Sequence, residues 1–140
     1  YYVQNFYDLA SYKKALDKNL LPSFRGIKLN EDDKIRQHAT QQIRSYFKKD
    51  YKNFSDQFGI NAKEYFKNEI KFLEEMQKDS LLEITDEGIF LTEMGRDFTQ
   101  NIMNVFDKYD PPTKSYKERL ETVKKAKASQ ASVQEKIDNI

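Results

Sequence analysis

Aromatic side chains are distributed unevenly along the 140-residue chain, because 18 of its 19 Phe and Tyr residues precede residue 111. Each buries a large apolar area, so together they supply the core of a compact domain. Residues 111–140 hold seven Lys or Arg against four Asp or Glu, whereas residues 1–110 hold 17 against 19. We therefore expect one packed body and a basic polar tail that is a marginal helix or disordered.

Four segments of the body carry apolar residues at helical spacing. Asn30, Asn61 and Thr92 stand where the second, third and fourth helices need an N-cap. Between the first and second helices, Pro22 and Gly26 predict an ordered, extended loop. The predicted helices are 6–18, about 31–47, 62–78 and 93–109.

Residues 81–91 carry the one clear β pattern. Apolar residues alternate on both sides of Asp86-Glu87-Gly88, which predicts a hairpin with Gly88 in the left-handed conformation. The predicted fold is therefore mainly α with a small β-hairpin, a winged-helix-like helical domain plus a C-terminal tail. We place its boundaries at 1–30, 31–110 and 111–140, with Asp110-Pro111-Pro112 ending the last helix of the domain.

Catalytic chemistry is limited by what the chain lacks. It has no cysteine and one histidine, His38, so thiolate clusters, thiol nucleophiles and His-rich metal sites are excluded. We expect His38 to be solvated on an exposed helical position. Glu31, Asp32 and Asp33 are better explained by the helix dipole than by a cation. We predict no catalytic residue and no metal site, and thus an accessory or binding domain.

Charge and hydropathy disfavour nucleic acid and membranes as partners. A winged-helix order suggests DNA binding, but residues 62–78 contain four Lys, four Glu and no Arg. No apolar run is long enough to cross a membrane, and the first residues do not form a signal peptide. We predict a cytoplasmic protein without nucleic-acid or membrane partners. A DNA-binding domain, or an interaction module with a docking helix in its tail, remains the alternative.

A set of short motifs follows one order along residues 1–109. They are Tyr2-Val3-Gln4-Asn5, Tyr12, Ala15-Leu16-Asp17, Leu21-Pro22, Arg25-Gly26, Leu29, Asp32-Asp33, Ile35-Arg36, Phe58-Gly59-Ile60, Tyr65-Phe66, Gly88, Leu91-Thr92, Gly95-Arg96, Phe98, Asn101-Ile102, Phe106-Asp107 and Tyr109. In this order the chain resembles the C-terminal domain of oxygen-independent coproporphyrinogen III oxidase, a radical S-adenosylmethionine enzyme of haem biosynthesis. It departs from that family at Ser80, where Gly is favoured, and at Gln37 and Gln100, where Arg is common.

The resemblance implies a parent enzyme that oxidatively decarboxylates coproporphyrinogen III to protoporphyrinogen IX with a 4Fe–4S cluster and S-adenosylmethionine. Because this chain has no cysteine, the cluster would belong to a missing N-terminal barrel. Residues 1–30 would lead from that barrel, and the domain would cover its mouth and help to enclose the substrate. The fragment alone is expected to be inactive and to bind no cofactor. A haem-chaperone-like relative without decarboxylase activity is the alternative parent.

Four site residues follow from the same resemblance. Gln4 and Asn5 are expected to contact S-adenosylmethionine, and Leu21 to line that site. Arg25 is expected to pair with a propionate of the tetrapyrrole, because a guanidinium matches a carboxylate bidentately. The alternatives are packing at the junction for the first three, and a helix cap or an interdomain salt bridge for Arg25.

Overall fold

The computed structural model describes residues 1–109 and 115–138, with side chains described as far as Ala131. The chain forms two compact units, Tyr1–His38 (unit 1) and Ala39–Ile140 (unit 2), so this division falls within the second helix. The domain boundaries drawn from the sequence stay a prediction. The predicted stop at Asp110-Pro111-Pro112 lies outside the described residues. The elements are β1 Tyr2–Asn5, α1 Leu9–Asp17, β2 Ser23–Ile27, α2 Glu31–Tyr46, β3 Lys48–Asp50, α3 Tyr51–Phe58, α4 Ala62–Tyr65, α5 Lys67–Lys78, β4 Leu82–Ile84, β5 Gly88–Leu91, α6 Glu93–Arg96, α7 Thr99–Asn104 and α8 Tyr116–Asp138.

Unit 1 begins with two antiparallel strands, β1 and β2, joined through α1. Asp8 caps α1: its carboxylate accepts a hydrogen bond from the Ser11 amide at 2.7 Å, which lowers the pKa of Asp8. The extended segment predicted after Pro22 is thus a paired strand, and the hairpin is not the only β structure. No residue of α1, β1 or β2 is buried.

The start of α2 confirms the predicted cap at Asn30. The Asn30 side chain accepts from the Asp33 amide at 2.8 Å, and the Asp33 carboxylate accepts from the Asn30 amide at 2.9 Å. The neighbouring carboxylates pair within the helix, Asp32 with Arg36 at 3.0 Å and Glu31 with Lys34 at 2.6 Å. These pairings and the helix dipole account for the acidic first turn.

Unit 2 contains a three-stranded antiparallel sheet in the order β3-β5-β4. The β4–β5 pair is the predicted hairpin, with Leu82 opposite Leu91 and Ile84 opposite Ile89. Strand β3 adds to the other edge of β5 and was not predicted. The unit places a helix, a strand, three helices and a hairpin in sequence; the winged-helix label remains a prediction.

The predicted left-handed conformation of Gly88 is wrong. Gly59 is the glycine with positive φ, whereas Gly88 lies in β5 opposite Asp50. A Cβ atom on Gly88 would lie 2.1 Å from the Lys49 carbonyl oxygen. Glycine is therefore needed at this position because the β3 backbone approaches closely, and not because of the turn.

Two of the predicted helices are interrupted in unit 2. Asn61 caps α4 as predicted, accepting from the Lys63 and Glu64 amides, but a break at Phe66 separates α4 from α5. Thr92 also caps as predicted, accepting from the Gly95 amide at 3.0 Å, and its hydroxyl donates to the Ser80 carbonyl. That last helix divides into α6 and α7, and α7 ends at Asn104.

Aromatic rings form the centre of the unit 2 core. The Phe66 ring lies 5.5 Å from Phe54 and 5.1 Å from Phe106 between centroids, in tilted and edge-on arrangements that aromatic pairs prefer. All three rings are fully or almost fully buried. The core is completed by Ala39, Ile43, Tyr51, Ala62, Leu73, Met76, Leu81, Leu82, Ile89, Leu91, Phe98, Ile102, Val105, Tyr116 and Leu120.

A lysine is buried in this core. Lys49 has no exposed surface, and its ammonium group lies 4.0 Å from the ring centroid of Phe54 and 4.9 Å from that of Phe66. It has no hydrogen-bond partner in the described part of the chain. Burial lowers the pKa of Lys49 to about 8, because the charged form loses its hydration. The ring faces offset part of that cost.

The C-terminal segment is a helix over residues 116–138. Tyr116 and Leu120 belong to the buried core, and the Tyr116 hydroxyl donates to the Asp79 carboxylate at 2.9 Å. Further along, Lys127 pairs with Asp97 at 3.1 Å. The packed body therefore extends past residue 111, where the aromatic content of the sequence predicted its end.

Candidate functional site

The structure brings two of the four predicted site residues into direct contact. Gln4 in β1 and Arg25 in β2 are cross-strand partners, so their side chains lie side by side. The Arg25 Nε atom donates to the Gln4 side-chain oxygen at 2.7 Å. Both residues are exposed. The resemblance had assigned them to two different ligands, whereas their geometry makes them one polar pair.

Asn5 and Leu21 are close in sequence to this pair. Among the described residues, neither side chain forms a hydrogen bond with Gln4 or Arg25. Asn5 is opposite Ser23, and the strand register shifts between Gln4 and Asn5. Leu21 precedes β2 and is 84% exposed. The next residue, Pro22, is buried, and its carbonyl accepts from the Phe6 amide at 2.9 Å. The loop at Leu21 is thereby held against the end of β1 while its leucine faces outward.

Apolar rings flank the polar pair. Phe24 lies beside Arg25 in β2, and the Arg25 guanidinium carbon lies 5.9 Å from the Phe24 ring centroid. Phe6 contacts the same ring, with 5.7 Å between centroids. Since Gln4 uses the Nε–H of Arg25, the two terminal nitrogens of the guanidinium are left to bind a carboxylate or phosphate end-on.

The residues present do not fit an iron–sulfur cluster. The chain has no cysteine, and the described residues include no group of three or more His, Cys, Asp or Glu able to hold a metal ion. His38 lies on α2 and is half-buried, not exposed as the sequence suggested. The Gln4–Arg25 pair can bind an anion but offers neither a nucleophile nor a general base.

Two features of unit 2 were missed from the sequence. Lys49 reads as a surface residue in the run Lys48-Lys49-Asp50, and only its pairing with Ile89 in the centre strand shows it to be buried. A groove beside α4 and α5 brings Lys63, Lys67 and Lys71 together. Their spacing of four residues was visible in the sequence and would have placed them on one helical face.

Comparison with known proteins gives consistent results. Residues 29–98 match the family model of the HemN C-terminal domain. Oxygen-independent coproporphyrinogen III oxidase of Helicobacter pylori strain 26695 is 35% identical over 109 residues, which are 78% of this chain and 24% of that protein. The Pseudomonas aeruginosa protein of the same name is 33% identical over 110 residues, covering 79% and 24%.

A solved structure supports the same relationship. It is described as coproporphyrinogen III oxidase (HemN) from Escherichia coli, a radical SAM enzyme. The TM-score is 0.68 at 32% identity, with 76% of this chain and 25% of that chain covered. The present chain therefore spans about a quarter of the length of the relatives it matches.

Fold and sequence together define a mainly helical domain that matches about a quarter of each of these relatives. The matched region is half of the chain and includes α2, the unit 2 sheet and α3 to α6. The chain belongs to the HemN C-terminal domain family. None of the described helices combines the length and the apolarity needed to span a bilayer.

Proposed function

We propose that this chain is the C-terminal domain of an oxygen-independent coproporphyrinogen III oxidase and covers the active site of a radical S-adenosylmethionine barrel. The parent would decarboxylate two propionates of coproporphyrinogen III in the cytoplasm, and the domain alone would be inactive. The observation that carries the proposal is the apolar surface of unit 1, which needs a partner.

That surface is unusual for a domain in isolation. Tyr7 is 90% exposed, Leu21 84% and Phe24 53%. Single exposed apolar residues are common, but many of them on one short segment indicate a binding surface. Ten of the twelve large apolar side chains exposed in the described residues belong to unit 1: Tyr1, Tyr2, Val3, Tyr7, Leu9, Leu16, Leu20, Leu21, Phe24 and Ile27.

Within this surface, the Gln4–Arg25 pair supplies the polar contact. A guanidinium set among apolar side chains binds a carboxylate more strongly than one in open water, because docking would exclude the solvent. Coproporphyrinogen and S-adenosylmethionine both carry carboxylates, so either is a suitable ligand. Asn5 and Leu21 would line the same site, and Gln4 would orient Arg25 through the 2.7 Å hydrogen bond.

The radical chemistry would come from the barrel. A thiolate-held cluster delivers the electron that cleaves S-adenosylmethionine, and this chain has no cysteine to hold one. The role left to this chain is to bind, to orient and to exclude water. A haem-chaperone-like relative would use the same docking surface without the decarboxylation.

The first experiment is to read the coding sequence upstream of Tyr1. We expect a cluster-binding cysteine motif within the preceding few hundred codons. A start codon immediately before Tyr1 would contradict the proposal and leave a stand-alone binding module.

The second experiment assays the full-length protein for anaerobic conversion of coproporphyrinogen III. Arg25→Ala should lower kcat/KM by at least about tenfold, because a charge-assisted bond to a carboxylate is lost. Arg44→Ala, an exposed arginine in unit 2, is the matched control and should have no effect. Equal activity of the two variants would remove Arg25 from the site. Absence of conversion by the intact wild type would favour the chaperone-like parent.

The docking surface has a separate test. Leu21→Glu should leave the melting temperature of the 140-residue chain unchanged but destabilise or inactivate the full-length protein, because the carboxylate would be buried at the interface. Tyr46→Glu is the control, since Tyr46 is 69% exposed in unit 2. A full-length Leu21→Glu protein with normal activity would contradict docking through this surface.

A further inference from the structure

A groove of about 520 Å³ lies in unit 2, between helices α4 and α5 and the turn that joins β4 to β5. Its volume is within the range of small-molecule sites. Lys63, Lys67 and Lys71 line the helical side, and Asp86 lies in the turn opposite them. The Gln4–Arg25 pair, by contrast, belongs to unit 1.

The three lysines of the groove differ in their partners. The Lys63 ammonium pairs with Asp86 at 2.7 Å, which lowers the pKa of that carboxyl group. Lys67 and Lys71 are exposed and form no ion pair with any described residue. With Glu74 also in the lining, three ammonium groups face two carboxylates, an excess of one positive charge. The groove therefore favours an anion, and its free cations are Lys67 and Lys71.

Largely apolar side chains also line the groove. Tyr51, Ile70 and Ile84 line it, and Tyr51 is only 8% exposed. The Lys63 ammonium lies 5.7 Å from the Tyr51 ring centroid, so the Lys63–Asp86 pair lies beside that ring. Ile84 is fixed by its amide, which donates to the Gln77 side chain at 2.7 Å. A ligand here would need an apolar face as well as a charge.

We propose that this groove binds a small organic anion. Its carboxylate or phosphate lies between the ammonium groups of Lys67 and Lys71, and its apolar body packs on Ile70, Ile84 and the edge of Tyr51. Lysine acts as a point charge and accepts either anionic group. A nucleic-acid backbone fits less well, because Glu74 and Asp86 would repel a continuous row of phosphates.

The test is a titration of the isotope-labelled 140-residue chain, followed by NMR. Two aromatic anions, a carboxylate and a phosphate, show which of these groups the groove binds. The probes are 2-naphthoate and 2-naphthyl phosphate, and the neutral probe is 2-naphthalenemethanol. We expect amide shifts confined to residues 63–74 and 84–86, with the alcohol binding at least about tenfold more weakly than the better anion. A preference between the anions identifies the group that the groove accepts.

The double variant Lys67→Gln and Lys71→Gln should lower the affinity for the better anion by at least about tenfold, and each single variant should lower it by a smaller factor. Lys78→Gln, at the end of the same helix and outside the groove lining, is the matched control. Three results would overturn the proposal: equal binding of the alcohol, unchanged affinity in the double variant, or displacement of the probe by duplex DNA with a steep salt dependence. None of them bears on docking by unit 1, so the two proposals can fail separately.

Discussion

The two units of this chain use their apolar residues in opposite ways. Apart from Pro22 and Ile35, every buried apolar side chain in the described residues lies in unit 2. Unit 1 instead exposes most of its large apolar side chains. Burial of apolar area is the main favourable term in folding, so unit 2 carries the stability of the isolated chain. Unit 1 keeps its apolar area available for association.

The strongest test of this difference truncates one apolar side chain in each unit. Phe66→Ala removes a fully buried ring from between Phe54 and Phe106 and should cost about 4 kcal/mol of unfolding free energy. Leu16→Ala, at a leucine that is 48% exposed, should cost less than about 1 kcal/mol. Urea denaturation followed by circular dichroism measures both. Similar costs would mean that unit 1 has a core after all.

A second comparison adds one methyl group to a glycine of each unit. A Cβ atom on Gly95 would lie 1.7 Å from the Leu81 carbonyl oxygen, whereas on Gly26 the nearest atom is the Tyr2 carbonyl oxygen at 3.2 Å. Gly95→Ala should therefore cost about 3 kcal/mol, and Gly26→Ala well under half of that. Thermal melting of the two variants would show the difference, and a larger effect at Gly26 would reverse the comparison.

Lys49 is the exception within the well-packed unit, and replacing it should stabilise the chain. Its folded pKa of about 8 against an ordinary 10.5 corresponds to about 3 kcal/mol of cost, partly offset by the ring contacts. Lys49→Met should thus raise the unfolding free energy at pH 7 by about 2 kcal/mol. Urea denaturation of the wild type and the variant, below pH 8 and near pH 10.5, measures this difference in unfolding free energy.

The pH dependence of that gain has a defined sign. Between pH 8 and 10.5 the unfolded state binds the Lys49 proton and the folded state does not, so stability rises with pH in the wild type. The advantage of Lys49→Met should be full below pH 8 and shrink toward pH 10.5. An advantage independent of pH would mean that the pKa of Lys49 is the same in the folded and the unfolded state, so that burial does not penalise its charge.

The smallest effect concerns two left-handed residues, Ser80 in unit 2 and Asn19 in unit 1, with φ of 62° and 53°. Ser80→Gly should stabilise by about 1 kcal/mol, because glycine adopts this conformation without steric cost. Asn19→Gly should gain less, since asparagine tolerates the left-handed region. Differential scanning calorimetry can resolve the two shifts. A loss of stability at Ser80 would show that unfolded-state entropy dominates.

The sequence predicted contacts between residues that are close along the chain and missed contacts between residues that are far apart along it. Asn30, Asn61 and Thr92 cap helices through bonds spanning two or three residues, so the local sequence was sufficient to predict them. The pairing of Gln4 with Arg25 spans 21 residues, and β1 and β2 lack the alternating pattern of a half-buried strand. Strand β3 consists of two lysines and an aspartate, and it forms because β5 offers a partner edge.

The C-terminal helix shows the same limit. This segment is charged and poor in apolar residues, as its sequence shows. Its first turns nevertheless pack against the core, because Tyr116 and Leu120 are buried there. The residues of the candidate site were predicted from a resemblance to a protein family. No local sequence pattern could have shown that Gln4 and Arg25 contact each other. Register between distant strands is set by pairing, which single-sequence patterns do not encode.

The close approach of the Gly95 and Gly88 Cα atoms to neighbouring carbonyl groups has a genetic consequence. Every missense change of one nucleotide in a glycine codon introduces a residue with a Cβ atom, so no single-step substitution at either position avoids the collision. Random mutagenesis of the gene should leave these two codons almost free of tolerated replacements. The codons for the exposed leucines of unit 1 should vary freely in the isolated chain and become restricted only when selection acts on the docking that we propose for this unit.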